Sequence, residues 1–423
     1  MPRLRRLRLV VVLLLATGAG AAARCAPKED AAPHLSPEQR GEALFTKETF
    51  GGNGRVCSTC HELEQFGTIT PHFVQQAFAK DPSGPLFRPI DSDDGVGTSY
   101  KRLMEHATVR IPIELPTRTA SGRGIRLCDD PAKTSIIVNR GNPSVFNMAL
   151  EMHIMHDGRE GANLETQAAN AVKTHNQTAR ALTPEETSAI AAFQRSLFSH
   201  EAIKAFLRKG TAPKLPDGNT PSEKRGRAFF EPQRPCGLCH SGPMLNRTSE
   251  KHDFVVGSAF ESSGVGVEPG NPNPKYRWCY VDLATNTIVP GPTGTREVFK
   301  HPVSDPGLGL VAGVSEFRGS NGSVQFTFMP NESVPAFAGP TFKIPTLWGV
   351  PDTAPYFHDN SAKDLEAVLV QYNFLFRLIP SLAAHVGCKP KATECLSKED
   401  RADIISFMQL LSFEKRKKPG GAS

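Results

Sequence analysis

Two short stretches of this sequence combine residue types able to hold a metal-bearing group covalently: Cys57-Ser58-Thr59-Cys60-His61 and Cys236-Gly237-Leu238-Cys239-His240. Two thiols at this spacing can add across the vinyl groups of a porphyrin. The histidine directly after them is then carried under the iron as its proximal ligand. A single CxxC could equally be a disulfide pair, a redox site or half a zinc site. Two CxxCH boxes in one exported chain point instead to two c-type haems, with Cys57, Cys60, Cys236 and Cys239 as attachment points and His61 and His240 as iron ligands.

Export is read from the first residues. Arginines 3, 5, 6 and 8 precede the apolar run Leu9–Leu15 and a stretch of small residues ending near Ala23. This is the pattern of a signal peptide over residues 1–23, too short for a transmembrane span, and it places the mature chain in the periplasm. A lipid anchor at Cys25 is not expected, because Arg24 directly before it does not suit a lipobox. Cleavage would remove four arginines, so the formal charge of +6 falls to about +2 and gives no reason to expect nucleic acid. Nine cysteines less the four haem thiols leave Cys388 with Cys395 as a close pair, Cys128 with Cys279 as a second pair, and Cys25 odd.

The elements that must position the two boxes occur twice. Ser36-Pro37 opens a helix bearing Gly41, then Leu44 and Phe45, before the first box. Thr220-Pro221 opens one bearing Gly226, then Phe229 and Phe230, before the second. Downstream, Pro143-Ser144-Val145-Phe146 leads to His156-Asp157 and Leu164-Glu165. In the same order, Pro345-Thr346-Leu347-Trp348 leads to His358-Asp359 and Leu365-Glu366. Each copy closes with an amphipathic helix, one opened by Thr183-Pro184-Glu185-Glu186 and one by Ser397-Lys398-Glu399-Asp400. The repeat predicts two haem-carrying domains, 33–205 and 221–415, joined by a linker over 206–220. Insertions over about 63–134 and 246–337, rich in Gly, Pro, Ser and Asn, read as long loops with short strands such as Val324–Phe328.

Aligning the copies singles out one position. Fourteen residues beyond His358 stands Tyr372, and its counterpart, allowing for the one-residue difference, is Ala171. Tyr372 could be an ordinary aromatic on a helix face. It could also supply a phenolic oxygen to the second iron while alanine leaves the first iron open.

The whole pattern resembles the bacterial dihaem cytochrome c peroxidase and MauG superfamily. The resemblance rests on the two boxes, Asn142-Pro143-Ser144-Val145-Phe146-Asn147, His156-Asp157-Gly158-Arg159, Leu164-Glu165-Thr166-Gln167-Ala168, Pro345-Thr346-Leu347 and Ala354-Pro355-Tyr356-Phe357-His358-Asp359. It implies a mainly α fold of two tandem cytochrome c-type domains with long irregular loop insertions and little β. It implies a peroxide-reacting first haem and an electron-storing second haem, with Tyr372 as the second haem's distal ligand, as in MauG-like enzymes. The removable distal histidine of many peroxidases falls at Lys133, which implies a five-coordinate first haem; Met152 and His153 are the nearest substitutes were that haem closed. The family's distal glutamine matches Gln167. Its proton-shuttling glutamate falls on Gln177, with His175 beside it as the candidate replacement acid and base. The family's inter-haem tryptophan falls on His156. Its calcium site implies carbonyls of Thr353 and Pro355 and an asparagine, formally at Gly141, with Asn142 adjacent.

The expected function is a periplasmic oxidoreductase that uses hydrogen peroxide to oxidise a protein or a small electron donor. Two further readings remain at this point: a cytochrome c peroxidase fed by a soluble cytochrome, and a non-enzymatic dihaem electron carrier.

Overall fold

A computed structural model describes residues 35–117, 122–151, 153–247, 260–261, 273–291, 294–299, 301–307, 316–318, 324–327, 340, 342–378, 384, 387–389 and 392–414. The expected signal peptide, Cys25, Met152 and Phe328 lie outside them. Among the described residues no helix is long and apolar enough to cross a membrane.

Four helices begin with one local device. Ser36, Thr183, Thr220 and Ser397 each accept a hydrogen bond from the backbone N–H three residues on, while the side chain at that residue returns a bond to the cap's own N–H. This reciprocal cap satisfies two otherwise orphaned donors and contributes about 1 kcal/mol per helix. The helices concerned are α1 (Pro37–Lys47), α5 (Pro184–Arg195), α7 (Pro221–Ala228) and α9 (Lys398–Gln409). They pair as α1 on α5 and α7 on α9.

Both crossings are made through glycine. A Cβ on Gly41 would lie 1.9 Å from the Ala189 carbonyl oxygen, and one on Gly226 would lie 1.9 Å from that of Asp403. Phe193 and Phe407 stand at the same two crossings, with Phe45 and Ile190 buried around the first and Phe230 and Ile404 around the second. The duplication read in the sequence is thus also a duplication of helix packing.

Between the paired helices run α2 (Pro71–Lys80), α3 (Lys101–His106), α4 (Leu164–Ala171), α6 (Glu201–Lys209) and α8 (Leu365–Leu378). Helix α4 ends in a π-helical turn, Val172–Asn176, whereas α8 continues unbroken through Tyr372. The chain has more helix than strand.

The described parts of the two insertions contain short strands. Strands β1 (Thr108–Glu114) and β3 (Ser135–Gly141) form an antiparallel ladder from Thr108↔Gly141 to Glu114↔Ser135. Strand β2 (Arg123–Leu127) pairs antiparallel with β5 (Trp278–Asp282), and β5 with β6 (Thr287–Ile288). The first insertion therefore shares a sheet with the second, and the Cys128–Cys279 disulfide ties the junction. Ile69, Val74, Leu103, Ile111, Ile125, Trp278, Tyr280 and Val303 form one hydrophobic core drawn from both. Shorter ladders join β4 (Phe260–Glu261) to β9 (Phe342–Lys343) and β7 (Glu316–Arg318) to β8 (Val324–Thr327). The Cys388–Cys395 disulfide closes the other pair expected from the cysteine spacing.

Candidate functional site

One cavity of about 690 Å³ runs between the two halves and is lined by both boxes. At the first, Cys57–Thr59 forms a single 3₁₀ turn, and the His61 N–H donates to the Cys57 carbonyl at 3.0 Å. At the second, the His240 N–H donates to the Cys236 carbonyl at 2.7 Å. These tight turns bring each histidine to the same wall as its two thiols.

The imidazoles are held alike. His61 Nδ1 lies 2.9 Å from the Gly67 carbonyl, and His240 Nδ1 lies 2.8 Å from the Leu245 carbonyl. A carbonyl can only accept, so Nδ1 carries the proton and Nε2 keeps its lone pair for a metal. Burial lowers both pKa values, that of His240 to about 4, and keeps the rings neutral. Cys57, Cys60, Cys236 and Cys239 are not disulfide-bonded, and burial pushes the first three up to about 12, 11 and 12, so they stay thiols. Two thiol pairs, two ring nitrogens with free lone pairs and an apolar cavity joining them form a donor set that fits two haems.

The matched positions both reach this cavity. Tyr372 on α8 and Ala171 at the end of α4 line it. Burial first, then Cys239 and Cys236, pushes the Tyr372 phenol well above its ordinary pKa.

No family model and no curated protein matches the chain. Similar solved structures include a MauG-like protein associated with microbial copper homeostasis, at 16% identity over 92% of each chain and a TM-score of 0.46. A diheme peroxidase, BthA from Burkholderia thailandensis, matches at 14% identity over 89% of this chain and 85% of its own, with a TM-score of 0.39. Hydrazine synthase from Kuenenia stuttgartiensis matches at 15% identity over 96% and 99%, with a TM-score of 0.35.

On the first box's side, Gln167 and His175 line the cavity with Ala171. Burial lowers the His175 pKa to about 4, with Asp91 opposing, so its ring is neutral near pH 7 and able to accept a proton. Gln177 is placed otherwise. It leaves the π turn in the left-handed conformation, is exposed, and accepts from Asn53 Nδ2 at 2.9 Å. It does not line the cavity, so the residue aligned with the family's glutamate is not brought to the site. His153 does not line it either, and Lys133 is exposed.

His156 lies in the wall between the boxes, with Nε2 3.1 Å from the Gly141 carbonyl. Burial first, then the Arg140 charge and His358, lower its pKa to about 3. Asn142, Thr353 and Pro355 line the same cavity. Asn142 Oδ1 is buried and has no hydrogen-bond partner, the state of an oxygen that a hard cation would satisfy. The formal asparagine position cannot hold a side chain, because a Cβ on Gly141 would lie 2.1 Å from Asn360 Oδ1. Among the described residues no three His, Cys, Asp or Glu side chains gather as a metal site, so any cation here would rest on Asn142 and carbonyls.

Sequence reasoning missed the ion pairs behind this wall. Arg140 on β3 bonds Asp157 at 2.5 Å and Asp305 at 2.8 and 3.0 Å, all three side chains being buried. Burial alone would raise both carboxyls; the guanidinium outweighs it and holds Asp305 down at about 2. No local signal pairs Arg140 with a residue 165 positions away.

Proposed function

We propose that this chain is a dihaem c-type oxidoreductase of the periplasm that uses hydrogen peroxide to oxidise a protein or small-molecule electron donor. In this reading residues 33–205 and 221–415 are tandem cytochrome c-type domains joined by 206–220. The observation that carries it is the difference between matched positions of one cavity: a methyl group at 171, a phenol at 372.

Two haems, attached at Cys57/Cys60 and Cys236/Cys239 with His61 and His240 as proximal ligands, would supply the iron and the two-electron oxidising chemistry. Everything else falls to the chain. Ala171 offers no donor and leaves room for a small ligand opposite His61. His175, neutral near pH 7, takes the proton that peroxide gives up, and the Gln167 carboxamide orients the same molecule by hydrogen bonding. Tyr372 closes the second site. Its raised pKa keeps the phenol protonated in the protein alone, so ligation as phenolate depends on the positive charge of the iron. Burial of His156 as a neutral ring keeps the wall between the sites free of added charge. Calcium held by Asn142 Oδ1 and the Thr353 and Pro355 carbonyls would brace that wall.

The test is electron paramagnetic resonance of the ferric holoprotein. One high-spin and one low-spin haem are expected, and Tyr372→Phe should alter the low-spin signal alone. An unchanged low-spin signal removes tyrosine ligation; the absence of any high-spin component removes the open site and the peroxide chemistry with it.

A further inference from the structure

Among the charged side chains that line the cavity, Arg159 is mounted in a way that leaves donors to spare. Arg159 lines the cavity with its side chain 18% exposed. Nη1 donates to both oxygens of Asp157, at 2.9 and 3.0 Å. Asp157 is itself fully buried and fixed by Arg140, which is clamped in turn by Asp305. The guanidinium is therefore mounted on a buried chain of ion pairs instead of hanging from a flexible stem. Among the described residues only Nη1 has a protein acceptor, so Nε and Nη2 remain available as donors. Asn170, beside Ala171, donates to the carboxylate of Glu160, beside Arg159, at 3.0 Å, so the arginine's loop packs on the helix that carries Ala171.

The duplication supplies a second, independent observation. The first copy reads His156-Asp157-Gly158-Arg159 and the second His358-Asp359-Asn360-Ser361. The histidine and the buried aspartate recur, but serine replaces the arginine. Asp359 accepts from Asn273 Nδ2 at 3.1 Å and from the Ser361 N–H at 3.2 Å, with His358 Nε2 3.9 Å from its carboxylate. At this motif position the arginine accompanies the alanine copy and serine the tyrosine copy.

We infer that Arg159 binds a small anion on the open side of the first haem: hydroperoxide when peroxide has released its proton, and fluoride as a stable surrogate. The inference rests on the open site proposed above. It makes Arg159 part of substrate binding, with Asp157 and Arg140 as its positioning residues.

The experiment is a fluoride titration of the ferric holoprotein followed optically, with haem content and Tm measured alongside, for wild type, Arg159→Gln and Arg159→Lys. Loss of a charge-assisted hydrogen bond to an anion should raise the fluoride Kd of Arg159→Gln about 10- to 100-fold. Lysine keeps the charge but loses the fork anchored on Asp157, so Arg159→Lys should weaken fluoride about threefold or more, which carries the test if the glutamine variant fails to fold. A wild-type Kd in either folded variant, even with a lowered Tm, reduces Arg159 to a structural ion pair and overturns the inference. Haem lost in Arg159→Gln and restored in Arg159→Lys without any change in Kd overturns it as well, since the guanidinium would then serve a haem carboxylate. A wild-type protein whose spectrum ignores fluoride refutes the open site itself, a failure distinct from these.

Discussion

Replacing Gly226 with alanine sets two known effects against each other. In an exposed helix the change would stabilise by about 1 kcal/mol, through helix propensity and reduced freedom of the unfolded chain. Here the new methyl would lie 1.9 Å from the Asp403 carbonyl oxygen and 2.5 Å from its carbon, distances that real Cβ atoms do not reach. The obstacle is backbone, so no rotamer change relieves it, and α7 must move from α9 by roughly 1 Å. A gap of that size forfeits a quarter to a half of each dispersion contact across the crossing, where Phe230, Ile404 and Phe407 are buried. Overpacking of this kind costs typically 1–3 kcal/mol and more when backbone must shift, so the clash wins and a net loss of roughly 2–3 kcal/mol is expected. Urea unfolding should show a lower midpoint at unchanged m. Because α7 leads directly into the Cys236 box, the low-spin signal of the second haem should shift while the first haem's does not. Gly41→Ala should reverse the pattern. A Gly226→Ala variant as stable as wild type, or disturbance of both haems alike, would refute the claim that glycine sets each crossing.

Other outcomes follow from groups already described. His175→Phe should slow the reaction with peroxide by about 10²- to 10⁴-fold in stopped-flow measurements, the usual contribution of a general base. The wild-type rate should fall below about pH 4, where His175 becomes protonated; a rate indifferent to both changes removes its role as proton acceptor. Arg140→Gln would strand two buried carboxylates and should cost about 3–5 kcal/mol in denaturant unfolding. Asp305 has its folded pKa depressed to about 2, so its contribution is present above the ordinary carboxylate range and is lost as pH falls through about 2. The acid-induced loss of stability should therefore be smaller in Arg140→Gln than in wild type, and equal losses would discount the ion pair.

What could be read from the sequence was what is local or repeated. The two CxxCH boxes stand out because their spacing is short and fixed, and the capped helices because the caps are side chains within three residues of one another. Ala171 and Tyr372 emerged only by laying one half on the other, and both do line the cavity. Gln177, which the family resemblance put at the glutamate position, lies outside the cavity for a geometric reason. The π turn over Val172–Asn176 winds in an extra residue, so His175 faces inward and Gln177 leaves the helix. The pairing between the insertions was not legible because each strand's partner lies far along the chain. Arg123-Gly124-Ile125-Arg126-Leu127 has the composition of a loop, yet its partner strand begins about 150 residues later. Arg159 stood in view as part of a motif, but only its replacement by Ser361 in the other copy marks it out.

The strand β2 laid against β5 has a consequence for how this chain can be divided. Each half contributes one side of a shared apolar wall, with Ile125 from one and Trp278 and Tyr280 from the other. A fragment ending between residues 206 and 220 would carry its own thiols and histidine yet leave that wall uncovered, and so would its complement. Neither half should be obtainable as a well-behaved single-haem protein, and exchanging halves between relatives should succeed only where both insertions travel together.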